Sequence, residues 1–169
     1  MSVSYRDAEP ADAAALDCLF RSSFCDTFAH LYQQRDLDLF LQSFDVADWE
    51  AELEDPQYAF RIAEVDGQSA GYIKIGPLKP RIEAKGPALL LDQLYVLTDH
   101  HGAGIAQQLM AWALSEAKRR GAAQMFLTVY IENHRARSFY DRYEFEAVGR
   151  YDFMVGNHAD EDIIMRKYL

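Results

Sequence analysis

The stretch from Ala88 to Arg120 limits the fold more than any other part of the chain. Ala88–Leu97 is a leucine-rich run that reads as a strand buried on both faces. It passes through a turn holding Gly102 and Gly104 into Gly102–Arg120. There Ile105, Ala106, Leu109, Met110, Ala113, Leu114 and Ala117 recur at the spacing of a packed helix. Lys118, Arg119 and Arg120 suit the negative end of that helix, and Gly121 stops it. Gln124–Tyr130 is again strand-like. Upstream, Tyr58–Val65 and Gln68–Ile75 flank Asp66-Gly67, a hairpin signal because both turn positions need positive φ. A hairpin feeding a strand–helix–strand unit calls for a mixed sheet, not a doubly wound parallel one.

The flanking segments add elements to both ends. Ser2–Arg6 is a short strand. Leu16, Leu19, Phe20, Ser23, Phe24, Thr27 and Phe28 form one helical stripe, with Pro10 in its first turn and Asp12 near its positive end. Asp36–Phe44 is a second amphipathic helix, and Trp49 and Leu53 belong to a third, shorter one. Gly76–Pro87 is a loop with prolines at 77, 80 and 87. Asn133 caps a helix whose inward stripe is Ala136, Phe139, Tyr140 and Tyr143. Glu146–Phe153 and Asp160–Lys167 read as closing strands. No repeat or linker interrupts the 169 residues, a length suited to one domain. The expectation is an α/β (α+β) fold: one domain over 1–169, with a mixed, mostly antiparallel sheet of six to seven strands flanked by helices.

Charge narrows the partners. Lys and Arg number 17 against 27 Asp and Glu, a net charge of −10. Such a balance argues against sequence-independent nucleic-acid binding and against an anionic membrane surface. The excess is uneven, since residues 1–60 carry all of it and residues 61–169 are neutral. Cys18 and Cys25 are too few for a disulfide framework. His30, His100, His101, His134 and His158 fall in no zinc spacing, so no metal is expected. The N-terminal residues lack the pattern of a signal peptide, and no apolar run is long enough to span a bilayer. The expected setting is the cytoplasm.

The glycine turn carries the first chemical hint. Glycines between a strand and a helix let backbone N–H groups converge on an anion, and a pyrophosphate is the natural ligand. A dinucleotide fingerprint is a poor match: its third small position falls on Gln107, and the next acid, Glu132, lies too far along. A phosphate loop is excluded, because no Gly-Lys-Ser/Thr follows. A plain helix start that needs a tight turn stays open.

A further reading fits both this turn and a second motif. His101-Gly102-Ala103-Gly104-Ile105-Ala106, after the strand end Leu94-Tyr95-Val96, resembles the Q/R-x-x-G-x-G/A motif of the GNAT acetyltransferase family. His101 stands where that family has Gln or Arg. Asn133, Ala136, Tyr140 and Phe145 are similar to its later N-x-x-A-x-x-x-Y…Gly-Phe signature, with Glu144 in place of the Gly. Arg6, Ala8 and Asp12 resemble its first strand and helix. Phe24-x-Asp26-Thr27-Phe28, Gly71-Tyr72-Ile73-Lys74, Tyr151-x-Phe153-Met154-x-Gly156 and Asp162-Ile163-Ile164-Met165 are similar to PaiA-type spermidine/spermine N-acetyltransferases.

The resemblance implies a single GNAT-like domain that moves acetyl from acetyl-CoA directly to a primary amine. Helices within about 10–55 would face the acceptor, and about 88–145 would bind the cosubstrate. Tyr140 takes the position that protonates the leaving thiolate, and a phenol is a competent acid there; packing on the apolar stripe is the plain alternative. Asp92, in a Leu-rich strand, sits where relatives carry an acidic base; it would act as base, water relay or counterion. Leu94, Tyr95 and Val96 would offer backbone groups to the pantetheine, as an added strand does. His101, Gly102, Ala103, Gly104, Ile105 and Ala106 would cradle the pyrophosphate. Asn133 and Ala136 would contact the pantetheine, and Arg142 would meet the adenosine phosphate or lie free in solvent. Phe24, Asp26, Phe28 and Tyr32 suit an alkylammonium acceptor, although the aromatics also fit a core stripe.

The acceptor implied is a cationic small amine, most simply a polyamine. A protein or peptide N-acetyltransferase, and a non-catalytic acyl-CoA sensor on the same fold, stay as alternatives. A dinucleotide-dependent oxidoreductase is the weakest reading. A homodimer is left open.

Overall fold

A computed structural model describes all residues, 1–169. The elements run β1 (Val3–Asp7), α1 (Ala13–Phe28), α2 (Gln34–Gln42), α3 (Val46–Glu54), β2 (Ala59–Val65), β3 (Gln68–Gly76) and β4 (Ala88–Val96). They continue with α4 (Ile105–Arg119), β5 (Gln124–Tyr130), α5 (His134–Arg142), β6 (Glu146–Val155) and β7 (His158–Tyr168). Seven strands form one sheet in the order β1-β2-β3-β4-β5-β7-β6. Every neighbouring pair is antiparallel except β4 with β5, which the α4 crossover makes parallel. This is the expected mixed, mostly antiparallel sheet.

Local chemistry explains most boundaries. Asp66 and Gly67 both take positive φ, 51° and 81°, and close the β2–β3 hairpin. Arg6 of β1 grips Asp12 with two bonds of 2.8 Å, while Asp12 accepts the Glu9 amide at 2.7 Å. One carboxylate thus caps the short turn Pro10–Asp12 and ties it to the sheet. Asp45 caps α3 in a reciprocal box with Asp48, which makes α3 a full two-turn helix. Its Trp49 donates to Asp17 of α1 at 2.9 Å. Asp36 of α2, buried, accepts the Asn157 amide at 3.0 Å and fastens α2 to the β6–β7 turn.

Alternation along the strands splits the core into two layers. On one face Ile73, Ile75, Leu127 and Ile163 pack against Leu109, Met110 and Ala113 of α4 and Tyr140 of α5. On the other, Ile62 and Tyr72 pack against Leu16, Phe20 and Phe24 of α1, Leu37 of α2 and Trp49 of α3. A small cluster of Ile82, Leu90, Phe126 and Ile164 lies beneath the Gly76–Pro87 loop. Leu109 is fully buried, and truncating such a leucine to alanine costs about 2–5 kcal/mol.

The structure corrects three details of the sequence reading and explains a fourth. Helix α4 starts at Ile105, not Gly102, because Gly102 and Gly104 hold φ of 83° and 80° and cannot continue a right-handed helix. Strand β4 is fully buried only at Leu90 and Leu91. The closing strands are longer than expected and meet in a tight turn at Gly156. Glu144 takes φ 67° at the exit of α5, so it adopts the left-handed turn that glycine would supply, at a cost of about 1–2 kcal/mol.

Candidate active site

The partial burial of β4 has a cause. Its pairing with β5 covers only Ala88–Leu90 against Gln124–Phe126. Beyond Leu90 the two parallel strands part. Leu91–Val96 have no partner on that side, and β5 pairs onward only with β7. A cavity of about 760 Å³ fills the opening, with walls drawn from both faces of the sheet. Unpaired strand backbone of this kind accepts an extended polar chain as it would another strand. Leu94, Tyr95 and Val96 line it.

One end of the cavity is built for an anion. His101, Gly102, Gly104, Ile105, Ala106 and Gln107 line it at the N-terminus of α4, where amides lack intrahelical acceptors. A Cβ on Gly104 would meet nothing, so its backbone angle, not space, requires glycine. Ala103 does not line the cavity. His101 does more than replace a family glutamine. Its Nδ1 lies 2.7 Å from Arg135 Nη1, and its Nε2 lies 2.7 Å from the Val96 carbonyl oxygen. A guanidinium only donates, so Nδ1 accepts, and the proton on Nε2 goes to Val96. A neutral imidazole therefore locks the turn to β4 and α5. Arg135 is thereby held at the same end, and Arg142 also lines the cavity. The backbone opening, the glycine turn and this basic rim together fit the pantetheine and phosphates of acetyl-CoA.

Tyr140 and Asn133 also line the cavity. Asn133 accepts the Ala136 amide at 3.3 Å and lines the cavity, so it caps α5 and faces the site at once. Ala136 lines it as well. Tyr140 is buried, edge-on to Phe139 and Phe145 with ring centres at 5.5 and 5.8 Å. Burial pushes its phenol well up, so it stays protonated at neutral pH.

The other end is aromatic and acidic. Phe24, Phe28 and Tyr32 line it, joined by Phe40, Phe44 and Phe153. Asp26 does not: it is exposed on the far side of α1, and the expected grouping of Asp26 with those rings fails on helical geometry. The carboxylates that do line the cavity are Asp48, Glu52, Asp92, Asp160 and Asp162.

Asp92 is the extra residue of a β-bulge, because pairing jumps from Lys74–Gln93 to Ile75–Leu91. The bulge turns Asp92 toward Lys74, which it meets at 3.1 Å. Glu52 of α3 reaches the same ammonium at 3.0 Å. Lys74 is buried under the rings of Trp49, Tyr58 and Phe60. Burial alone pulls its pKa down, but Asp92 and Glu52 more than offset that, and it stands above its ordinary value. Across the opening, Tyr32 donates to Asp160, which also lies 3.2 Å from His158 Nε2.

The sequence reading missed Lys74, Glu52, Arg135, Asp160 and Asp162 as site residues. Two of them left a signal. Lys74 lies between Ile73 and Ile75, and Asp162 precedes Ile163-Ile164-Met165. A charge inside such a run is seldom buried without a reason. No three His, Cys, Asp or Glu side chains gather in a metal-binding group. No helix is long and apolar enough to cross a membrane.

Comparison with known proteins adds to the geometry. Residues 19–145 match the model of the acetyltransferase (GNAT) family. An uncharacterized N-acetyltransferase of Mycobacterium tuberculosis strain H37Rv is 33% identical over 117 residues, covering 69% of this chain and 71% of the relative. The PaiA N-acetyltransferase of Thermoplasma acidophilum, solved with coenzyme A, superposes with a TM-score of 0.79 over the full length of both chains at 21% identity. A ribosomal-protein-alanine N-acetyltransferase from Brucella melitensis gives 0.77 at 23% identity, covering 98% of this chain and 99% of that one. At these identities the two structures speak for a shared fold.

Proposed function

The chain belongs to the GNAT family and is an acetyl-CoA-dependent N-acetyltransferase, and on that premise we propose that its acceptor is a small cationic amine, most simply a polyamine such as spermidine or spermine. The observation that carries this is the polarity of the cavity. Arg135 stands with the α4 N-terminus, while five carboxylates, Asp48, Glu52, Asp92, Asp160 and Asp162, line the cavity together with aromatic rings and outnumber the two lysines there, Lys74 and Lys79. An alkylammonium chain is held by carboxylates at its charges and by ring faces along its stem. The fold shared with the Thermoplasma PaiA enzyme is in keeping with this reading.

Bound acetyl-CoA supplies a thioester whose acetyl carbon accepts an amine lone pair and whose sulfur leaves as thiolate. The chain does the rest. Backbone groups of Leu94 and Tyr95 align the cosubstrate arm along β4, while His101 holds Val96 and the glycine turn in place. Tyr140 Oη gives its proton to the thiolate. Its raised pKa keeps that proton available at every physiological pH. Asp92, engaged with Lys74, acts through charge: with Glu52 it leaves the β4 side net negative toward an incoming ammonium. Phe24, Phe28 and Tyr32 wall the acceptor.

The test is a panel of amines and peptides with acetyl-CoA, read by product mass and by thiol release. Acetylated spermidine or spermine is the expected product. Acetylated peptide with no polyamine product would move the acceptor to protein. Acetyl-CoA binding without turnover of anything would favour a sensor.

A further inference from the structure

We propose that Asp162, midway along β7, is the catalytic residue that takes the proton from the reacting amine, a role the family resemblance offered as one of three for Asp92. The inference rests on the amine-acceptor reading above and deepens it.

Occupancy separates the carboxylates. Asp48 accepts the Asp45 amide at 2.8 Å within its helix cap. Glu52 and Asp92 share one buried ammonium. Asp160 holds Tyr32 and His158. Asp162 makes no ion pair, although it is only 6% exposed and lines the cavity. For Asp92 to accept a proton, Lys74 must lose one of the two charges that keep a buried ammonium tolerable. For Asp162, protonation removes a buried anion that no ion pair holds; Lys79 and the Thr128 hydroxyl only partly offset its burial.

Placement agrees. The opening between β4 and β5 has two arms. Asp92 belongs to the β4 arm; Asp162 stands opposite Tyr130 of β5, on the other. Tyr95 of β4, Tyr140, Asp92 and Asp162 all line the same cavity. An amine bound in that cavity would meet a donor to the leaving sulfur and a carboxylate that no ion pair holds.

The groups facing Asp162 set its proton affinity. Asp160, itself paired with His158, is the near anion on its own strand, and Lys79 is the near cation from the loop after β3. Lys79 also lies 5.2 Å over the ring of Tyr151, the register partner of Asp162 on β6. The phenols of Tyr32, Tyr95 and Tyr130 stand above their ordinary values, each by burial first, and so stay neutral. Burial, then Asp160, pushes Asp162 up to about 7, with Lys79 and the Thr128 hydroxyl opposing. A base of that strength works at neutral pH.

The step balances. The amine lone pair forms the N–C bond, and the proton that nitrogen loses goes to Asp162. The C–S bond breaks with its pair on sulfur, which takes the Tyr140 proton. Asp162 is then neutral and Tyr140 a phenolate, and proton transfer from Asp162 to Tyr140 through solvent resets both. An acceptor arriving as ammonium first sheds one further proton to water.

The experiment is the pH profile of kcat at saturating amine and acetyl-CoA. Wild-type protein should show a rising limb near pH 7. D162N should lose that limb and fall by about 10²–10³-fold with acetyl-CoA affinity unchanged by calorimetry, and D162E should restore part of both. D160N, which removes the neighbouring anion, should move the limb down by about one pH unit. Carbon-13 NMR of the carboxyl groups should show one titrating near 7 that is absent in D162N, a readout independent of turnover. If D162N does not fold, the D160N shift and the wild-type NMR titration decide. An intact limb with kcat within threefold of wild type, a limb lost in D92N instead, a D160N limb that does not move, or no carboxyl titrating near 7 would overturn the assignment. Wild-type protein that turns over no amine would remove the acceptor reading itself.

Discussion

Asp162→Asn should make the protein more stable at neutral and alkaline pH, and the size of the effect follows from burial. The folded state holds this carboxyl at about 7 against an ordinary 3.8. At about 1.4 kcal/mol per tenfold change in proton affinity, keeping the anion in place costs about 4 kcal/mol once both states are ionised. Water entering the open cavity lowers this, so about 2–4 kcal/mol is expected at pH 8, or roughly 5–15 °C in Tm for a chain of this length. The sign is set by linkage. A group whose folded pKa is raised binds more protons folded than unfolded between the two values. Its favourable contribution is complete below about pH 4 and is lost as pH rises through about 7. Asparagine has the same shape and no charge, so its advantage should vanish near pH 4 and be full by pH 8. Urea melts of both proteins at pH 4, 5, 6, 7 and 8 measure it. A difference independent of pH, or a destabilised variant at pH 8, would refute the placement of an anion that no ion pair holds at this site.

Other outcomes follow from the same geometry. Tyr140→Phe should lower kcat by about 10²–10³-fold and leave acetyl-CoA affinity within about twofold by calorimetry; equal loss of both would make the ring a packing element. Lys74→Ala should cost about 3 kcal/mol in urea, because Glu52 and Asp92 would then face each other without a cation; a cost below about 1 kcal/mol would show that water already screens them. The KM for spermidine should rise steeply with salt between about 0.05 and 0.5 M as the acidic field is screened, while Asp26→Asn leaves KM within about twofold. A flat salt response would return the net charge to a role in solubility.

What the sequence revealed was whatever neighbours along the chain decide. The Asp66-Gly67 turn, the glycines before α4 and the Asn133 cap all act within four residues, and each was legible. Asp26 was misplaced although the rule for it was local too. Two helical steps from Phe24 rotate a side chain by roughly 200°, onto the opposite face. The residues missed outright were brought in from a distance. His101 meets Arg135 across 34 residues. Tyr32 meets Asp160 across 128. Lys74 finds one carboxylate on α3 and another at a bulge in β4. No periodicity encodes such pairs. The sequence shows only that a charge sits within an apolar run, and the sheet order decides what faces it.

The charge distribution changes meaning once these partners are known. The first sixty residues carry the whole excess of −10, yet several of those acids are committed to the fold. Asp12 holds Arg6, Asp17 holds Arg21 and Trp49, and Asp36 holds the β6–β7 turn. From this region only Asp48 and Glu52 reach the cavity. Asp92, Asp160 and Asp162 come from the segment whose net charge is zero, and so do Arg135 and Arg142. Lys74 and Lys79 line the cavity as well, and most of that segment's charges lie outside it. A sum along the chain therefore does not show which charges meet in the cavity. On the proposed reading, a cationic acceptor would be recognised by the carboxylates that line the cavity, Asp48 and Glu52 among them, while the other acids of the first third would add a salt-sensitive outer field that speeds its arrival.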